Sequence, residues 1–198
     1  AYVNYTQHSA SASKRNLTLG QRSQLTDKLR VYQEHRFNII NTDEQRANSY
    51  GANYDIWDDW TVSFEMLNGD VEHDGQSFER NAYSAASRWR TDRFELVNRL
   101  EYRDDENAVN GLHQWVTANR MKMSINDDWS FLGELDFSLT EGSAVGGKLA
   151  KFSEVDLGFA YRPVSNSKLN MLGMYSYLYD LDPLQQFGSL ALDERSHV

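Results

Sequence analysis

The sequence predicts an all-β chain: an antiparallel, up-and-down transmembrane β-barrel, or part of one, with about 11–12 strands. Three observations predict it. Apolar and polar residues alternate with a period of two over long stretches, which is the spacing of strand side chains. Most predicted strands run to about ten to thirteen residues, well beyond the usual ~5–6 and close to the ~9–11 that a tilted strand needs to cross a bilayer. Short turns and longer loops also alternate along the chain, so each kind collects at its own end of the sheet, as in a transmembrane barrel.

Composition agrees. The 198 residues carry a net charge of −9, an aromatic content of 13% and a mean hydropathy of −0.68. A chain so polar and yet so aromatic suits a sheet with one apolar and one wet face, not a disordered segment. The acidic balance, without a basic cluster, argues against nucleic acid as a partner. With no cysteine, disulfides and thiolate metal sites are excluded. No run of eighteen apolar residues occurs, so no transmembrane helix is expected. Residue 1 opens directly in strand-like sequence, and any signal peptide is expected to have been removed.

Strands are expected at 2–8, 15–25, 29–40, 46–56, 60–72, 79–90, 94–104, 111–125, 129–140, 152–162 and 169–180, with a twelfth beginning near Arg195. Residues 1–198 form one β-barrel domain or a fragment of a larger barrel. The clearest hairpin is Met121–Thr140. Trp129, Phe131, Gly133, Leu135, Phe137 and Leu139 share one face, with Leu132 as the exception on the other. A three-residue loop, Asn126–Asp128, sets Ile125 opposite Trp129, Met123 opposite Phe131 and Met121 opposite Gly133, which brings both apolar rows to one side. The same I-x-D-D-W pattern recurs at Ile56–Trp60. A three-residue loop there pairs Ile56 with Trp60, Tyr54 with Val62, Ala52 with Phe64 and Tyr50 with Met66. The turn Thr26–Lys28 pairs Ser23 with Val31 and Leu17 with Phe37. A tighter turn at Thr91-Asp92 sets Trp89 against Phe94, Arg88 against Glu95, Ala82 against Glu101 and, less favourably, Arg80 against Arg103. A fifth short turn is Pro163–Lys168. The longer connections are 41–45, 73–78, 104–110, 141–151 and 181–194.

Two rows follow from this alternation. One is apolar. Its rings gather near strand ends, with Trp57, Trp60, Trp89 and Trp129 by the short turns and Tyr102 and Tyr179 by the longer loops, as expected of membrane-interface girdles. The other row carries Arg22, Arg30, Glu34, Arg36, Glu65, Arg88, Glu95, Arg99, Glu101, Arg103, Glu134, Asp136, Glu154, Asp156 and Arg162. A hydrated lumen tolerates such a row, whereas a dry core does not.

The sequence resembles the outer-membrane β-barrels of Gram-negative bacteria, and more narrowly the barrel region of large surface-exposed, TonB-receptor-like or OmpA-associated repeat proteins. The D-D-W-[ST] turns at Asp58–Thr61 and Asp127–Ser130, the segments Leu157–Pro163 and Tyr175–Asp180, and the closing Arg195–Val198 carry the resemblance. It implies a Gram-negative outer-membrane location, with lipid bilayer and lipopolysaccharide as surroundings and further strands or domains of a longer chain as partners. It departs from the family at Val198, where a terminal aromatic residue would usually stand. The implied role is a membrane anchor for a larger surface protein. The alternative is a porin-like channel for small polar solutes, and a soluble β-sheet binding protein is the remote one.

No catalytic activity, cofactor or metal is expected. Asp70–Gly75 resembles the start of a calcium loop, but position twelve is Asn81 where a glutamate is needed. Asp104–Asn107 is an acidic loop tip without ligand spacing. Gly142, Gly146 and Gly147 lack the strand–loop–helix setting of a phosphate loop. Among the histidines, only His113, beside Ser138 or Thr140, comes near a serine-hydrolase pairing.

Overall fold

In the computed structural model, the described residues are 1–8, 14–40, 43–73, 76–107, 111–142, 147–163, 169–181 and 193–197. They form twelve strands: β1 (Tyr2–His8), β2 (Lys14–Gln24), β3 (Leu29–Ile40), β4 (Asp43–Trp57), β5 (Trp60–His73), β6 (Gln76–Arg90), β7 (Phe94–Glu106), β8 (Gly111–Ser124), β9 (Trp129–Gly142), β10 (Gly147–Tyr161), β11 (Met171–Leu181) and β12 (Asp193–His197). All belong to one sheet in which every strand pairs antiparallel with its neighbours in sequence. Among the described residues no helix occurs and no pairing joins β1 to β12.

Most expected elements are present, but the far ends of the strands run on. The ladders continue to Ile40↔Asp43, His73↔Gln76, Glu106↔Gly111 and Gly142↔Gly147. The described parts of the expected loops at 41–45, 73–78, 104–110 and 141–151 are therefore almost wholly strand. Polarity is what suggested loops there, yet beyond the apolar band an antiparallel ladder can be polar on both faces and still satisfy its backbone.

The turn registers divide into confirmations and corrections. Thr26–Lys28 and Asn126–Asp128 close as expected, with Ser23 opposite Val31 and Met123 opposite Phe131. The Ile125 N–H donates to the Trp129 carbonyl at 2.9 Å. At Asp58-Asp59 the expectation fails. Trp57, not Ile56, pairs with Trp60 across a two-residue turn, and a bulge between Asp55 and Trp57 absorbs the extra residue. Above the bulge Tyr54↔Val62, Ala52↔Phe64 and Tyr50↔Met66 stand as expected. A bulge shifts the register by one residue, so it restores the faces that a two-residue turn alone would invert.

The β6–β7 register is two residues from the expected one. Trp89 pairs with Leu96, Ala82 with Arg103 and Arg80 with Asp105. A slip of two keeps every face, so alternation cannot detect it. Charge decides: the slip replaces Arg80 against Arg103 with Arg80 against Asp105.

The hairpins are staggered in one direction. The carbonyls of Lys28, Asp59, Arg93 and Asp128, all turn residues, accept from the N–H groups of Asp55, Arg90, Ser124 and Arg162 on the next strand, at 2.7–2.9 Å. The first three contacts fall short of the next hairpin's tip, so each of those next hairpins overhangs the one before it. A sheet that closes into a tilted barrel needs this cumulative shear.

Burial is inverted relative to a soluble sheet. On one face Glu34, Glu101 and Asp105 are only 8%, 8% and 4% exposed. On the other, Phe64 and Tyr83 are 60% and 51% exposed. The charged face is the sheltered one, and the apolar face is the outer surface.

Candidate lumenal surface

Register alone places the charged residues together. Directly paired residues share a face. The rows Gly20↔Glu34, Thr18↔Arg36, Gly51↔Glu65, Thr61↔Arg88, Ala86↔Arg99, Arg120↔Glu134, Ala118↔Asp136 and Asp136↔Glu154 link into one face running from β1 to β11. Arg22, Arg30, Glu95, Glu101 and Asp156 join it through Tyr32, Asn53, Lys122, Ser84 and Glu134. Every charged residue expected on the wet row, from Arg22 to Asp156, falls on this face.

Over β2 to β8 the charges interleave. Glu34 accepts from Arg36 Nη2 at 2.7 Å and from the Tyr2 hydroxyl, with Arg22 Nη2 at 3.5 Å. Arg30 Nη2 donates to both Asp55 oxygens at 2.8 Å, and Thr61 Oγ1 adds a bond at 2.7 Å. Glu101 is held between Arg99, at 2.6 Å, and Arg103. Arg80 grips Asp105 with two bonds of 2.7 and 2.6 Å. Arg88 reaches Glu95 diagonally at 2.5 Å, although Val97 is its direct partner. Arg103 also donates to Gln114 at 3.0 Å, and Gln114 donates to Ser138 and Thr140 at 3.0 and 3.1 Å.

On β9 and β10 the pattern changes. Glu134 lies directly opposite Asp156, and Asp136 opposite Glu154. Arg120 relieves Glu134 with bonds of 2.7 and 3.3 Å, and the Ser176 hydroxyl donates to Asp156. Asp136 Oδ1 is buried without a hydrogen-bond partner. Like charges directly opposite are unfavourable by a fraction of a kcal/mol to about 1 kcal/mol each.

Several participants were not expected. Tyr2, Tyr32, Asp55, Asp105 and Arg120 all serve this face. Arg120 was readable, since it alternates with Met121 and Met123. Arg80 was expected on this face opposite Arg103; its pairing with Asp105 needed the corrected register.

The apolar face carries the expected rings. The ring centroids of Trp57 and Trp60 lie 5.3 Å apart in a tilted pair, those of Trp89 and Phe94 5.3 Å apart edge to face, and those of Trp129 and Tyr161 4.7 Å apart in a tilted pair, all near short turns. Trp60 Nε1 donates to Ser87 Oγ and Trp89 Nε1 to Asp59 Oδ2, so each indole keeps a polar partner. At the other end Tyr102 packs on Trp115 at 4.8 Å, and Lys151 Nζ lies 5.7 Å from the Tyr179 ring. Immediately beyond Tyr50, Met66, Tyr83, Tyr102 and Trp115, the same row turns polar with Asn48, Asn68, Asn81, Asp104 and His113. The first three are linked to one another or to His35: His35 Nδ1 lies 2.6 Å from Asn48 Oδ1, and Asn68 Nδ2 donates to Asn81 Oδ1 at 2.9 Å. This is where the apolar band ends.

The hydrolase pairing is contradicted. His113 lies on the apolar face between Asp104 and Glu141, with Nδ1 2.9 Å from Asp104 Oδ1. Ser138 and Thr140 lie on the charged face and meet Gln114 instead. Strand alternation separates them, because residues 113 and 114 point to opposite faces. Asp74 and Gly75 of the calcium-like segment, residues 143–146 of the glycine-rich loop, the 164–168 part of the fifth short turn, and Val198 lie outside the described residues.

No family model and no curated protein sequence matches the chain. Solved structures do match. OmpT, an outer-membrane protein of Vibrio cholerae, superposes with a TM-score of 0.58 at 10% identity, over 93% of this chain and 61% of that one. Its in-vitro folded form gives 0.57 at 10% identity, over 86% and 55%. The siderophore receptor PirA of Pseudomonas aeruginosa gives 0.54 at 14% identity, over 91% and 37%. The fold is that of an outer-membrane β-barrel. The chain spans less than two thirds of the length of these barrels.

Proposed function

We propose that the chain forms part of the wall of a water-filled barrel in the Gram-negative outer membrane, passing small polar solutes along its charged face. One observation carries this reading: the charged face is the sheltered one, yet its guanidinium groups still reach water. The side chains of Arg22, Arg30, Arg88, Arg99 and Arg120 are each at least half exposed while engaged with a carboxylate. A dry interior would make such groups costly, and a lipid-facing surface more so. The apolar face, with its tryptophans near the turns and its polar border, supports a surround of bilayer and lipopolysaccharide. The proposed role is non-catalytic.

Single-channel recording on the full-length protein in planar bilayers tests the proposal. Steady ohmic conductance is expected. A barrel that inserts but does not conduct would point to a filled lumen and to the anchoring role in a larger surface protein.

A further inference from the structure

Two glycines on the charged face are covered by tyrosine rings. Tyr2 of β1 stands opposite Gly20 of β2, which stands opposite Glu34 of β3. Tyr32 of β3 stands opposite Gly51 of β4, which stands opposite Glu65 of β5. A β-carbon on Gly20 would lie 2.2 Å from Tyr2 Cζ, and one on Gly51 2.2 Å from Tyr32 Cζ. Each ring therefore lies flat across the neighbouring strand, in space that only a glycine leaves open. The Tyr2 hydroxyl then donates to Glu34 Oε1, two strands away, and Tyr32 and Glu65 lie on either side of Gly51 and line the same concavity.

The two arrangements also sit at one level. Gly20 and Glu34 flank the Thr26–Lys28 turn symmetrically, and Gly51 and Glu65 flank the Asp58-Asp59 turn at nearly the same separation. Arg99 lies at a matching distance beyond the Asp92-Arg93 turn. Glu34, Glu65 and Arg99 line one concavity of about 620 Å³, with Tyr32, Arg22 and Arg36.

We propose that Tyr2–Gly20–Glu34 and Tyr32–Gly51–Glu65 are joints that press two phenol rings against the wall and thereby set the bore at the level of Glu34, Glu65 and Arg99. The inference rests on the pore reading above. A methyl group on the glycine lifts the ring off the wall, because the far end of a tyrosine side chain yields more readily than a paired backbone. The lifted ring enters the lumen.

The test uses the full-length protein in planar bilayers. Gly51→Ala is expected to lower conductance by roughly a third or more, and Gly51→Ala/Tyr32→Ala to restore it to the wild-type value or above. Wild-type conductance in Gly51→Ala, or a double variant no better than the single one, would overturn the bore-setting role. Urea unfolding of the same variants reads the joint independently of conduction. Gly51→Ala should lower the midpoint in the wild-type background and leave it unchanged in Tyr32→Ala; equal losses in both backgrounds would overturn the joint. A wild type that does not conduct overturns the pore reading and the bore role with it, while the unfolding cycle still decides the joint.

Discussion

The charged face has two walls built on different principles. From β2 to β8 nearly every carboxylate is gripped by an arginine on its own or a nearby strand, and Arg80–Asp105 is deeply sheltered. On β9 and β10 carboxylates face carboxylates, and Arg120, from the neighbouring strand, reaches only one of them. The first wall gains stability from pairing. The second is held despite its charges, by backbone ladders and by the apolar residues on its other side. The lesson is that alternation selects a face, while pairing within the face is a separate property that can differ from strand to strand.

The largest expected effect breaks the paired wall. Arg80→Ala leaves Asp105 buried without its main partner, and losing one member of a buried pair costs about 3–5 kcal/mol. Urea unfolding in lipid vesicles should show that loss, and a change under 1 kcal/mol would mean water already reaches Asp105. Next comes the outside of the acidic wall. Leu135→Arg puts a charge near the middle of the lipid-facing row and should cost about 2–4 kcal/mol in the same assay. A cost near zero would place Leu135 in water. The seam between the walls is the β8–β9 hairpin, where Asn126 Oδ1 accepts from the N–H groups of Asp128 and Trp129 at 2.9 and 2.8 Å. Asn126→Ala should cost about 0.5–1.5 kcal/mol, with no change in conductance. The smallest effect has the opposite sign. Asp136→Asn removes one like-charge opposition and should stabilise by about 0.2–1 kcal/mol; destabilisation would show that Asp136 has a cationic partner after all.

The sequence made the faces legible and left the pairings partly hidden. A period of two is insensitive to a slip of two, which is why β6–β7 could be read with every face right and every partner wrong. The two I-x-D-D-W turns show a second limit. With Asn at x, the side chain caps the loop and a three-residue turn forms. With Trp at x, the residue joins the strand, packs at a tilt against Trp60 and leaves Ile56 as a bulge. Both outcomes restore the same faces, so face matching could not choose between them, although the difference between an amide that caps a turn and an indole that seeks an interface could have. The glycines of the tyrosine joints were visible as lone glycines inside strands, a sign of close approach, but which side chain approaches is set by the neighbouring strand's register.

The one-way overhang of the hairpins bears on growth and assembly. The turns at Lys28, Asp59, Arg93 and Asp128 are each bonded to the strand that follows, and no described strand pairs with any but its sequence neighbours. The sheet is therefore additive: a hairpin can be appended, removed or duplicated with the same joint to the next one. Barrel diameter rises roughly linearly with strand number, so duplication of one such unit would widen the tube by a fixed step without redesigning any contact. It would also let the wall zip up from one side, one hairpin docking on the last, with loop closure kept local at every stage.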